Sequence, residues 1–234
     1  MGYEALSLNF WVKTFPALVA NVGLLVLVIA RTRFQNKYLI FFSLTLILDA
    51  LVAGGVLKDV DRSTQVGLEV FFVWLHDFRF FYLVGALLYA GKGLEAARGL
   101  SLDGSILKPA FLLSLMPTLM LLAANFARPD FFTQVRHQFL MYEIACFALV
   151  MLLWMKVLSK ATESLALPDR RFLKSIFIPV AAYYGLWAAS DILILQKVEY
   201  GFLLRIIPNF IYYTVFLWWI YFATPFATAN IDLP

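Results

Sequence analysis

Apolar residues in this chain come in long unbroken runs with short polar gaps between them. The runs show neither the period of two of a half-buried strand nor the single stripe of a soluble helix. Seven runs stand out, at about 14–30, 38–57, 66–91, 109–127, 138–158, 173–195 and 202–224, and each is long enough, or nearly so, to cross a hydrocarbon core of roughly 30 Å as one helix. The gaps are short, about fifteen residues at most, so consecutive helices are expected to be antiparallel neighbours. The pattern predicts an all-α, polytopic fold, with residues 1–234 forming a single bundle of seven transmembrane helices.

Composition agrees with the pattern. The chain is 62% hydrophobic and 15% charged, against roughly 45–50% apolar and 25% charged residues in soluble domains, and its mean hydropathy is +0.81. The lipid bilayer is therefore its first partner, and a multi-pass place in a cell membrane, taken as a bacterial inner membrane, is expected. The net charge of +4 sits mostly in the gaps, where it reports topology and not a nucleic-acid surface. Of the nineteen Lys and Arg residues, eleven, among them Arg31, Arg33, Lys37, Arg98, Arg170 and Arg171, fall beside the first, third and fifth loops, and seven fall on the other side. The positive-inside rule then puts the N-terminus outside and the C-terminus in the cytoplasm. The start of the chain has no basic segment before its apolar part and no small-residue cleavage pattern, so the first helix is expected to stay in place.

The third run, VGLEVFFVWLHDFRFFYLVGALLYAG, breaks the apolar pattern with Glu69, His76, Asp77 and Arg79. A charge near the middle of a membrane helix costs at least ~2.5–3.5 kcal/mol unless it meets a partner or water, so these residues require a polar interior. On a helical wheel Glu69 and His76 lie about 20° apart and share a face, whereas Asp77 and Arg79 project roughly 200° from each other and need partners on other helices. Depth along the helices brings Asp49 of the second run to the level of Arg79, and these two form the expected ion pair. Glu143, Asp191, Arg205, Asn209 and Lys13 fall in the outer half. Lys13, Asp191 and Arg205 are near enough to helix ends to reach the headgroups. The candidate ligand-binding or polar-core set is thus Asp49, Glu69, His76, Asp77, Arg79, Glu143, Asp191 and Asn209. For Asp49 and Arg79 a structural ion pair competes evenly with a functional role, and for His76 a hydrogen-bonded core histidine competes with a proton-sensitive one.

Catalytic and cofactor chemistry finds little to rest on. His76 and His137 are the only histidines and Cys146 the only cysteine, with no HExxH pairing, so neither a metal site nor a disulfide is expected. No GxSxG elbow occurs, GKGLEAARG lacks the order of a phosphate-binding loop, and the last run has no lysine for a retinal Schiff base. No catalytic residue and no cofactor are predicted. Helices one and four, with almost no ionisable groups, are expected to be lipid-facing walls without chemistry. Pro117, Pro179 and Pro208 are expected to kink their helices, and Trp218, Trp219 and Tyr221 to anchor the last helix at the inner boundary. The tail ATANIDLP is short for an effector.

A basic first loop, Asn36, and a second helix with small residues near its end make up ARTRFQNKYLIFFSLTLILDALVAGG. With the seven-run layout, this stretch resembles the seven-helix N-terminal membrane sensor module of bacterial histidine kinases and diguanylate cyclases. The resemblance implies a bundle that receives a signal from outside or from the membrane and passes it to a cytoplasmic catalytic domain. The expected function is a non-enzymatic membrane subunit or receptor-like module that binds a ligand or a partner protein. A small transporter or channel lined by Asp49, Glu69, Asp77 and Glu143 is the alternative. An enzyme acting on lipid would rest on His76 and Asp77 alone.

Overall fold

Long apolar segments can hide their backbone from lipid only by closing every N–H on a carbonyl of the same segment, and helices do this. The computed structural model describes residues 3–4, 10–32, 36–53, 62–89, 104–158 and 167–223. Among these residues the chain forms α1 (Phe10–Thr32), α2 (Lys37–Ala53), α3 (Arg62–Tyr89), α4 (Gly104–Ala127), α5 (Val135–Leu158), α6 (Leu167–Leu195) and α7 (Tyr200–Ala223), with one 3-10 turn at Phe131–Thr133 and no strand. The fold is all-α. Five of the helices, α1, α4, α5, α6 and α7, are long and apolar enough to cross a membrane, as in a multi-pass membrane protein. Boundaries read from the sequence hold to within a few residues, except that α6 begins six residues earlier, at Leu167; positions 54–57 and 90–91, assigned to helices two and three, lie outside the described residues.

Each helix packs on its neighbour in sequence, α7 closes the ring against α1, and α3 and α6 meet across the middle. The ends are set locally. Asn36 accepts the Leu39 N–H on its side-chain oxygen at 3.0 Å and so caps the start of α2. α6 stops in a left-handed residue, Lys197 at φ 62°, with Val198 N–H returning to Leu193 O and Lys197 N–H to Ile194 O at 2.9 Å each, the pattern that turns a chain sharply after a helix. Gly201 then lies against α6 so closely that a Cβ would come within 2.8 Å of Ser190 O, which fixes the α6–α7 hairpin.

α7 is not a uniform helix. Pro208 has no N–H to return to Leu204 O, and the helix is interrupted at Arg205, between Leu204 and Ile206. Residues Ile211–Val215 then form a π-turn, with the Phe216 N–H reaching Ile211 O. The expected disturbance at Pro208 is present, although the sequence does not signal its π form.

The wall assignments hold for α4, which exposes Leu112, Met116, Leu119, Leu122 and Phe126, and for the outward face of α1, which exposes Val19, Val22 and Val26. α1 is not free of polar chemistry, however. Asn21 is fully buried and its amide donates to Tyr213 O of α7 at 2.8 Å, an interaction that the apolar run around it concealed. The rings assigned as anchors of the last helix also make contacts within the bundle. Tyr221 is buried, Trp218 Nε1 donates to Ala20 O and Trp219 Nε1 to Ser175 O, both at 3.1 Å, so the two indoles tie α7 to α1 and α6.

Candidate functional site

The interior polarity gathers at two levels. The deeper one is built on Asp77 of α3, which is 1% exposed. A carboxylate taken from water must recover its hydrogen bonds from the protein. Three phenols supply them: Tyr142 of α5 donates to Oδ2 at 2.5 Å, and Tyr184 of α6 and Tyr212 of α7 donate to Oδ1 at 2.6 and 2.7 Å. One side chain of α3 therefore holds three other helices.

Arg79, two residues on, leaves the helix in another direction, yet it too ends on α7. Its Nη2 donates to the backbone carbonyl of Tyr212 at 2.5 Å, and its guanidinium lies over the rings of Tyr212 and Phe216 at 4.4 and 4.8 Å from their centroids. Tyr212 and Tyr213 both belong to the π-turn. Both of their carbonyls accept side-chain donors, from Arg79 and from Asn21. The widened turn is thus held by α3 on one side and α1 on the other.

The expected Asp49–Arg79 pair does not form. Asp49 Oδ2 instead faces His76 Nδ1 at 3.7 Å, and His76 is fully buried against Phe72, Tyr212 and Tyr213. Depth alone put Asp49 within reach of α3, but azimuth decided which residue it met. His76 occupies a closed aromatic setting. Glu69 lies in α3 on the His76 side of the wheel, and its side chain, like that of Lys13, lies outside the described ones.

The second level lies nearer the α6–α7 hairpin. Arg205 of α7 bonds both acids, Asp191 of α6 through Nη1 and Glu143 of α5 through Nη2, the latter at 3.3 Å. Arg136 of α5 adds a second guanidinium to Asp191 Oδ1 at 3.2 Å. Asp191 is fully buried and Glu143 is 4% exposed, so the expectation that Asp191 and Arg205 reach outward to headgroups is overturned. Two acids and two partly exposed arginines neutralise one another, and this makes burial of the two carboxylates affordable. The arginines lie over Phe202 and Phe139, at 5.8 and 5.9 Å from the ring centroids. Asn209, also expected in the interior, accepts the Trp187 indole N–H at 2.8 Å and joins α6 to α7.

Comparison with protein families, curated proteins and solved structures finds no match. The site is therefore read from its own chemistry.

Sequence reasoning named the charged members, Asp77, Arg79, Glu143, Asp191 and Asp49, but missed Tyr142, Tyr184, Tyr212 and Arg136, which bind them, and Asn21, which binds the π-turn carbonyl of Tyr213. The tyrosines carried a signal. A phenol in a membrane-spanning run needs a hydrogen-bond partner when buried, and the pairs Tyr183–Tyr184 and Tyr212–Tyr213 each place one phenol in a direction its neighbour cannot share. Among the described residues no group of three His, Cys, Asp or Glu side chains is gathered as a metal would need.

Proposed function

We propose that this chain is a non-enzymatic membrane module of receptor or subunit type, which recognises a ligand or partner protein at its outer polar end and acts through another protein. In this reading all seven helices span, with the N-terminus outside and the C-terminus in the cytoplasm of a bacterial inner membrane. The lengths of α2 and α3 are compatible with it: 17 and 28 residues rise about 26 and 42 Å.

The observation that carries the proposal is the contrast between the two halves of the interior. Beyond Arg79 the core becomes one continuous apolar cluster, with Phe80, Phe81, Leu83 and Val84 of α3 against Val150, Leu153, Ile176, Phe177, Phe216 and Ile220. A transport pathway needs polar lining on both sides of its binding site, and this packing counts against one. Asp77 and Arg79, which a channel would expose, are instead bound to Tyr212. The polar groups at the hairpin end remain the part that a ligand or partner can reach, since Arg136 and Arg205 are partly exposed. An interior latched to a π-turned helix also suits a sensor, because such a turn can shift to α-helical pairing at the cost of a few hydrogen bonds.

The test is recovery of the chain from its native membranes after mild cross-linking. A second protein in fixed stoichiometry supports the proposal. A chain that comes out alone and is active alone contradicts it.

A further inference from the structure

The outer quartet has acceptors left over. Glu143 and Asp191 each use one carboxylate oxygen on the arginines, and the others, Glu143 Oε2 and Asp191 Oδ2, are buried with no donor among the described residues. An ionised oxygen left in that state is costly, more so than a neutral group, because desolvation is not offset. The two acids are held by the two ends of one guanidinium, that of Arg205, so both carboxylates lie beside the same group. That group must bring N–H or O–H donors, and a cation satisfies a carboxylate best.

Charge narrows the choice further. With both acids ionised the quartet is neutral, so a bare cation would leave a net charge in a region of low dielectric, whereas a cation that carries its own anion would not. Arg136, 27% exposed, is placed to take that anion. Its guanidinium lies over Phe202, and Phe202 also walls a recess of about 170 Å3 with Tyr3, Glu4 and Glu199, an acidic and aromatic approach that favours ammonium groups. Exposed Phe131, Phe139 and Tyr200 surround this end of the bundle.

We propose that the cluster of Arg136, Glu143, Asp191 and Arg205 binds a primary ammonium carried beside an anionic group, the chemistry shared by an ethanolamine phosphate headgroup and a free amino acid. The ammonium donates to Glu143 Oε2 and Asp191 Oδ2, and the anion accepts from Arg136. A choline headgroup is refused because its nitrogen has no N–H. This rests on reading the hairpin end as the recognition end.

The experiment compares the thermal midpoint of the purified full chain in nanodiscs of phosphatidylcholine with discs in which part of the lipid is phosphatidylethanolamine or its mono- and dimethyl forms. The expected result is a rise of several degrees with ethanolamine that shrinks with each added methyl, and its loss in Glu143→Gln. If free phosphoethanolamine or glycine added to phosphatidylcholine discs gives the rise instead, the ligand comes from water and the site stands. A midpoint indifferent to all of these probes, or a rise that persists undiminished in folded Glu143→Gln, overturns the proposal. Should that variant fail to fold, the methyl series on the unmodified chain decides. A stoichiometric partner recovered while the midpoint stays indifferent would remove this inference alone and leave the receptor or subunit proposal intact.

Discussion

The phenol of Tyr212 donates to Asp77 at 2.7 Å while the carbonyl of the same residue accepts from Arg79 at 2.5 Å, so one residue of α7 answers both buried charges of α3. The two charges project apart on their own helix and, among the described residues, neither forms a direct ion pair; Tyr212 couples them. Tyr212→Phe keeps the ring under the guanidinium and removes only the phenolic donor. It is expected to cost about 1–3 kcal/mol in unfolding from detergent, the range for a hydrogen bond to a buried charged group. The same substitution made on Asp77→Asn should cost less, by a coupling of at least ~0.5 kcal/mol, and equal costs in both backgrounds would contradict the contact.

Arg79 extends the same logic. Arg79→Met leaves Asp77 without its nearby compensating charge and is expected to destabilise by about 3–5 kcal/mol. Asp77→Asn should recover part of that loss, because Tyr212 links the two groups. Asp49→Leu should recover less, because Asp49 faces His76. Greater rescue by Asp49→Leu in the same unfolding measurement would restore the direct Asp49–Arg79 pair.

Two glycines separate packing from propensity. At Gly201 a Cβ would meet Ser190 O at 2.8 Å and Ile194 N at 2.9 Å, backbone atoms that cannot step aside. Gly201→Ala is expected to cost about 1–3 kcal/mol by forcing α7 from α6. At Gly23 the nearest contact would be 3.9 Å, and Gly23→Ala should be neutral or stabilising by up to ~1 kcal/mol. Thermal midpoints of the two variants, compared with the parent, check the pair; a reversed order would mean that the hairpin packing is wrong.

Much of this fold was legible because lipid leaves a chain few choices. A run of about 20 apolar residues must become a helix, and the residues that interrupt such runs must turn inward. Asp77 and Glu143 were therefore found from their cost alone, whereas Asp191 had been given to the headgroups. Their partners were less visible. A tyrosine such as Tyr184 is at home in a hydrophobic run, and only its azimuth reveals that the phenol reaches Asp77. Azimuth across helices also decided Asp49, which depth had given to Arg79. Arg136 and Arg205 lie within a turn or so of their helix ends, where sequence reasoning sends long cationic side chains outward; two buried acids drew them in instead. The π-turn at Ile211–Val215 has no local sequence sign beyond Pro208 upstream, since it is stabilised by Arg79 and Asn21 from other helices.

The most direct measurement is ion and proton flux through the purified chain in sealed liposomes, read with a pH-sensitive dye inside and an imposed potential. With the half beyond Arg79 packed by Phe81, Phe177, Phe216 and Ile220 and with Asp77 held by three phenols, the expected result is leakage no greater than that of protein-free liposomes. Substitution of Asp77→Asn should leave it unchanged. Flux well above that background, abolished by Asp77→Asn, would contradict a sealed interior and make the chain a transporter.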